Sequence, residues 1–314
     1  MSDDATPADL APTPHTNGSK TPPAADTAPD AVRDGASGTA RDKRTFRNFP
    51  VSFVRRTDRL SVGQQRAWDN YSQAYLLDFP RGLAATSVDP NWTLNPADVY
   101  GRTAPLTIEV GSGRGENIVA AAASHPDRDF LALEVYIPGL ARTMLRAQHA
   151  VAARDEHATG AEASPWAAAE PGHPTLTNLR VAEVDAVELL DTAIEPGTLD
   201  QLWVFFPDPW PKKRHHKRRI VNPRFADAAA KALRPGGTWR LATDWAQYAA
   251  WMVDAIEGSV EDSEEPDWTP HPAFRNVHGP RAHAPRFDGR VLTAFESRGI
   301  DAGRDIADLE YVRL

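Results

Sequence analysis

The chemistry open to this chain lies in a set of carboxylates, a glycine-rich turn and one basic run. Asp208 stands in Phe206-Pro207-Asp208-Pro209-Trp210-Pro211, directly after the apolar run Leu202 to Phe206. That run reads as a buried parallel strand. The prolines stop it, because proline fixes φ and has no N–H to give to a ladder. Asp208 and Trp210 therefore sit just beyond the strand's carboxyl end, the edge where open α/β sheets bind ligands. Six cations follow between Lys212 and Arg219, in a chain whose formal net charge is −8. A carboxylate and an indole beside dense positive charge suit the handling of a base next to the handling of phosphates. Alone, the proline segment also fits a rigid loop, and the cations a solvated face or a localisation signal. Neither reading explains why the two adjoin.

A second feature is Glu109-Val110-Gly111-Ser112-Gly113-Arg114-Gly115. Gly111 and Gly113 let the backbone approach a ligand closely. A dinucleotide fingerprint needs glycine at position 116, where this chain has Glu116, and a carboxylate there repels a pyrophosphate. A cationic ligand is not repelled. S-adenosylmethionine has a sulfonium, an ammonium group and no phosphate. Glu109 is placed near its methionine end, and Glu134 is placed to accept from the ribose hydroxyls. Asp185 can accept from the adenine amino group. Each carboxylate alone fits a helix N-cap equally well; three ending successive strands point to a cofactor edge.

The elements that position these groups alternate. Strands are expected at Leu106 to Val110, Phe130 to Val135, Leu179 to Val184, Leu199 to Phe206 and Thr238 to Thr243. Helices are expected from Ser61, at Asn117 to Ala123, Ile137 to Arg154, Asn222 to Leu233 and Trp245 to Glu257. Arg234-Pro235-Gly236-Gly237 reads as a turn. Weaker strand signals lie near Trp268 and at Leu309 to Leu314. This alternation predicts an α/β fold with a doubly wound, mostly parallel sheet. Residues 1–42 carry seven aspartates against Lys20, Arg33 and Arg41 and almost no large apolar side chains. They are expected to be a disordered tail. Residues 43–314 are expected to form a single domain, with a basic, aromatic-bearing arm at 43–60 and a low-complexity inserted loop at 155–174.

Bulk composition narrows the classes. No run of about 18 apolar residues is present, so no membrane span is expected. The N-terminus has no basic start with an apolar core, and the chain has no cysteine. Disulfide and thiolate chemistry are excluded, no metal is expected, and the expected compartment is the cytoplasm. An acidic chain is no general polyanion binder, so nucleic acid must be met by local basic patches.

The residues resemble the bacterial tRNA (guanine-N7)-methyltransferases from about Arg55 to Leu314. The most specific piece runs from Phe206-Pro207-Asp208-Pro209-Trp210 through Lys212-Lys213-Arg214-His215 to Lys217-Arg218-Arg219. Ala242-Thr243-Asp244-Trp245 and Thr293-Ala294-Phe295-Glu296 with Arg298-Gly299 complete it. The resemblance implies a Rossmann-like class I methyltransferase with a seven-stranded sheet, S-adenosylmethionine as cofactor and a variable-loop guanosine of tRNA as target. It implies Glu109, Glu134, Asp185 and Asp208 as cofactor-site carboxylates, with Asp208 also catalytic. Lys212, Asp244, Thr293, Ala294, Phe295 and Glu296 are implied substrate contacts. Arg214, His215, His216, Lys217, Arg218 and Arg219 are implied RNA contacts. Two departures stand out: Ala294 replaces a usual basic residue, and His216 replaces an expected Asn. The state is expected to be monomer or homodimer.

Guanine N7 has an in-plane lone pair and no proton, so methylation there needs placement and charge stabilisation rather than a base. A carboxylate accepting from guanine N1–H and N2–H does both, and Asp208 and Asp244 are the two candidates. Trp210 can stack on the base or pack under the loop. The competing classes are an N-methyltransferase for DNA or protein, an NAD-dependent oxidoreductase, and a non-catalytic RNA-binding module.

Overall fold

The computed structural model describes residues 53, 59–159, 175–261 and 267–314, without the side chains of 154–159. The expected tail, most of the basic arm and most of the inserted loop lie outside the described residues.

Seven strands form one sheet. They are β1 (Leu106–Val110), β2 (Asp129–Glu134), β3 (Leu179–Glu183), β4 (Leu199–Phe205), β5 (Leu233–Thr243), β6 (Phe274–Asn276) and β7 (Ala307–Arg313). Their order is β3-β2-β1-β4-β5-β7-β6. The first five in that order run parallel, and β7 is antiparallel to both neighbours. The order reverses between β1 and β4, which opens a crevice at their carboxyl ends. This is the expected doubly wound, mostly parallel sheet of seven strands.

Helices cover both faces because the central strands are apolar on both sides. On one face α1 (Val62–Tyr75), α3 (Glu116–Ser124) and α4 (Ile137–Thr159) pack on Phe130, Ala132, Val181 and Trp203. On the other, α6 (Pro223–Ala232) and α7 (Ala246–Glu257) pack on Ile108, Leu131, Leu202 and Trp239. The faces take alternate residues of each strand, so a one-residue slip would exchange the two cores. α1 starts at the expected Ser61 with a reciprocal capping box to Gln64.

Four details depart from expectation. α4 runs to Thr159, five residues into the segment expected to be loop. Arg234 to Gly237 lie within β5 as an irregularity: Leu199 pairs with Leu233, and the next partners are Gln201 and Thr238. The strand expected near Trp268 falls instead at Phe274–Asn276; Trp268 packs edge-on against Trp251 with ring centroids 4.7 Å apart. Two helices went unread, α2 (Pro96–Tyr100) and α8 (Ala294–Asp301). Between α3 and α8 come a short α5 (Ala186–Glu188) and a 3-10 turn, Lys213–Arg218.

Candidate active site

The glycine turn between β1 and α3 is built by close packing. Gly111, Gly113 and Gly115 have φ of 69°, 58° and 70°, the left-handed region that disfavours side chains. A Cβ at Gly115 would stand 2.4 Å from Thr143, and one at Gly139 would stand 2.5 Å from the Gly113 carbonyl oxygen. The turn therefore lies directly on α4. In front of Gly111 nothing stands within 4 Å of where a Cβ would be, so ligand atoms can meet bare backbone there.

Three carboxylates meet at this edge. Glu109 is 3% exposed. Burial pushes its carboxyl up to about 8, against hydrogen bonds from Asn117 and the Ile118 backbone; Glu134 and Glu116 push it the same way. Glu134 Oε2 accepts the Gly113 N–H at 2.9 Å, and Oε1 accepts those of Val135 and Tyr136. Burial still raises it above the usual carboxylate range, and Asp208 adds to the rise. Negative charges that each disfavour the next make a site waiting for a cation. Glu109 Oε2, Ser112 Oγ and Asn117 Oδ1 are buried without a hydrogen-bond partner. Buried polar atoms of this kind need a ligand or water. Open glycine backbone, orphaned acceptors and clustered acid fit a cationic, hydroxyl-bearing ligand such as S-adenosylmethionine. Asp185 caps α5, its Oδ1 accepting from Val187 and Glu188; burial raises it too.

Asp208 is exposed beyond β4, and among the described residues no hydrogen bond to its carboxylate is formed. It is bracketed by Phe206 and Trp210, with φ of 51° and 45°. Non-glycine residues rarely take such values, and they cluster at functional sites. Asp244, at the tip of β5, is instead ion-paired to Arg304 at 2.8 Å. Of these two candidates, Asp208 is thus the one without an ion pair among the described residues.

The basic run divides. Lys212, Lys213, Arg214 and Lys217 are exposed. The Arg218 guanidinium lies 4.5 Å over the Trp210 ring, whose edge meets His215. Desolvation, then the surrounding cations Arg214, Arg218, Lys212 and Lys217, lower the His215 pKa. His215 Nε2 accepts from Arg214 Nε at 3.3 Å. His216 packs against Trp251. Arg219 is 1% exposed, so the structure removes it from the RNA-facing set: its Nε donates to the Pro209 carbonyl at 2.9 Å.

The expected substrate segment divides in the same way. Ala294 and Phe295 are exposed at the start of α8. Thr293 is buried as its N-cap, accepting from the Glu296 N–H at 3.2 Å. Glu296 is 1% exposed and bonded to Arg286 and Arg290, and Arg290 also grips Asp308. In this structure Glu296 is therefore a member of a buried ionic clasp, not a free substrate contact. Sequence reasoning missed Arg286, Arg290, Arg304 and Asp308, which lie in unpatterned stretches. The one available signal was an excess of arginine before α8.

The family model described as "Putative methyltransferase" matches residues 103–309. A tRNA (guanine-N(7)-)-methyltransferase of Paenarthrobacter aurescens is 39% identical over 90% of this chain and 98% of that protein. Its namesake in Cutibacterium acnes is 42% identical over 89% and 88%, and that of Halorhodospira halophila 40% over 83% and 93%. The solved 16S rRNA methyltransferase KamB is 16% identical over 69% of this chain and 92% of that one, with a TM-score of 0.38. With about two residues in five shared across most of each relative, the chain belongs to the tRNA (guanine-N(7)-)-methyltransferase family.

Proposed function

We propose that this chain transfers a methyl group from S-adenosylmethionine to N7 of a guanosine in tRNA, at the carboxyl edge of the sheet between β1 and β5. The observation that carries this reading is the convergence of Glu109, Glu134 and Asp208 beside exposed cations. When bound, S-adenosylmethionine supplies an electrophilic methyl group on its sulfonium. Glu109 and the bare backbone at Gly111 and Gly113 hold its methionine end. Glu134 accepts from the ribose, and Asp185, through the oxygen not used in capping, from the adenine.

Asp208 is the catalytic carboxylate. It accepts from guanine N1–H and N2–H, which selects guanine over adenine and favours the positive charge that grows on the ring. Its ionised form needs no proton transfer, in keeping with a nucleophile that carries no proton. Asp244, neutralised by Arg304, shapes the pocket wall beside α8, where Gly299 packs against it. Lys212, Arg214 and Lys217 hold tRNA phosphates and add affinity without reading sequence. Arg218 keeps the Trp210 indole in place under the base. Phe295 offers an exposed ring to the substrate.

The target is a variable-loop guanosine, the working compartment is the cytoplasm, where tRNA is, and the active form is a monomer or a homodimer. Among the described residues no helix is long and apolar enough to cross a membrane. The test is incubation with labelled S-adenosylmethionine and unmodified tRNA, DNA or protein, then digestion and analysis. Label in 7-methylguanosine from tRNA alone is the expected result. Label in DNA, in protein or in another nucleoside refutes the reading.

A further inference from the structure

We propose that Arg219 is a positioning residue for Asp208, although it closes a run of cations that otherwise face RNA. The inference rests on the reading of Asp208 as the catalytic carboxylate.

A guanidinium that is 1% exposed has lost its water and must be held by protein groups. Arg219 is held on two sides. Its Nε donates to the Pro209 carbonyl at 2.9 Å. Its guanidinium carbon lies 5.0 Å from the Tyr248 ring centroid and 4.8 Å from that of Trp251, both on α7. Stacking on aromatic faces while donating in plane is a geometry that guanidinium supports and ammonium does not. The backbone around it is fastened to the same helix. Val221 donates its N–H to the Tyr248 hydroxyl at 3.2 Å, and Trp251 Nε1–H donates to the Val221 carbonyl at 2.6 Å. Asn222 donates to the Arg219 carbonyl at 3.0 Å while capping α6.

The loop it grips is rich in proline. Pro207, Pro209 and Pro211 have no N–H, so at these positions the carbonyls are the backbone groups that the protein can hold. Phe206 and Trp210, on either side of Asp208, are in the left-handed region. Strain of that kind persists only where the surroundings over-determine it. One flank is tied by the Phe206 N–H to the Ala242 carbonyl at 2.8 Å, with the buried Arg290 guanidinium 5.2 Å from the Phe206 ring. Arg219 ties the other flank, one residue past Asp208. Between these anchors the Asp208 side chain is exposed, close enough to Glu134 for its charge to raise that carboxyl. Without the Arg219 tie the loop relaxes, and Asp208 leaves the position that the reaction needs.

The experiment compares Arg219→Gln, Arg219→Lys, Asp208→Asn and the Arg219→Gln/Asp208→Asn double variant. Single-turnover methylation, tRNA affinity across a salt series and calorimetric binding of S-adenosylhomocysteine are measured for each. Arg219→Gln is expected to slow methyl transfer about tenfold to a hundredfold, the scale for misplacing a reacting group. Its tRNA affinity, salt slope and cofactor affinity stay at wild-type values. In the Asp208→Asn background the same change adds little further loss, because the two act as a unit. Arg219→Lys is expected to lose rate in the same way, and it carries the test if the glutamine variant does not fold. Additive rate losses in the double variant overturn the proposal. So does weaker tRNA binding with a shallower salt slope at an unchanged rate, which returns Arg219 to phosphate contact. A wild-type rate for Asp208→Asn alone refutes the catalytic reading of Asp208 instead, and is distinguishable from both.

Discussion

The Glu116 carboxylate accepts the backbone N–H of Ala294 at 3.1 Å, across 178 positions of sequence. Its other oxygen faces Arg146 at 3.4 Å. The first residue of α3, beside the glycine turn, is thus joined to the first residue of α8, where substrate is expected. A carboxylate there also complements the positive end of α8. The residue that argues against a dinucleotide has this second use.

Glu116→Ala should loosen α8 while leaving the glycine turn intact. The expected outcome is a KM for tRNA raised about tenfold, the worth of one charged hydrogen bond of about 1.5 kcal/mol. Steady-state kinetics give that number. Calorimetry should show S-adenosylhomocysteine affinity within about twofold of wild type, since no capping bond of the turn is lost. A larger effect on cofactor than on tRNA would mean that Glu116 serves the turn and not α8.

Glu109 makes stability depend on pH. Its folded carboxyl is raised to about 8 from an ordinary 4.5. Between those values the folded chain keeps a proton that the unfolded chain has released. The contribution is therefore complete below the unfolded value and is lost as pH rises through the folded one, with a slope of up to about 1.4 kcal/mol per pH unit. Glu134 and Asp185, also raised by burial, act in the same direction. The ligand-free protein should melt at progressively lower temperature between about pH 5 and 8, and Glu109→Gln should flatten part of that slope. A cation beside Glu109 favours the carboxylate, so cofactor binding near pH 7 should release a proton. Calorimetry in buffers of different ionisation enthalpy detects it, and Glu109→Gln should reduce it.

Charge stabilisation and phosphate binding should separate. Asp208→Asn keeps the shape of the side chain and removes its charge. Single-turnover methylation should fall on the order of a hundredfold or more with little change in tRNA affinity. Replacing Arg214 and Lys217 by Gln should do the reverse, giving weaker binding, a shallower salt dependence and a near-normal rate at saturating tRNA. Loss of affinity without loss of rate in Asp208→Asn would end its catalytic assignment.

The buried clasp predicts a stability effect where the sequence suggested only a substrate effect. Glu296 is bonded to Arg290, which is itself fully buried and paired to Asp308. Glu296→Ala leaves a buried guanidinium short of a partner, a change that costs about 3–5 kcal/mol. Urea unfolding should show that drop. A variant of unchanged stability with a raised KM for tRNA would instead restore Glu296 as a substrate contact.

By itself the sequence determined the five parallel strands, their alternation with helices and the sheet edge at which the candidate site residues gather. Those features rest on local rules. Short runs dominated by apolar residues, Leu106 to Val110 and Leu202 to Phe205, make the buried parts of strands such as β1 and β4. Prolines follow β4 on either side of Asp208, and glycines mark the turn between β1 and α3. Ser61 announced α1 because capping is a contact between near neighbours. What the tertiary structure alone decided is which charged side chains remain free. Lys217 and Arg219 are two positions apart and chemically alike in the sequence, yet one is in solvent and the other lies against Tyr248 and Trp251. Asp208 and Asp244 were equivalent candidates until Arg304, 60 positions beyond Asp244, was seen to neutralise one of them. Thr293 to Glu296 read as a single contact segment until α8 wound it so that alternate sides face the clasp and the solvent. A charge is spent or left available by its partners, and those partners come from distant segments that no local pattern brings together.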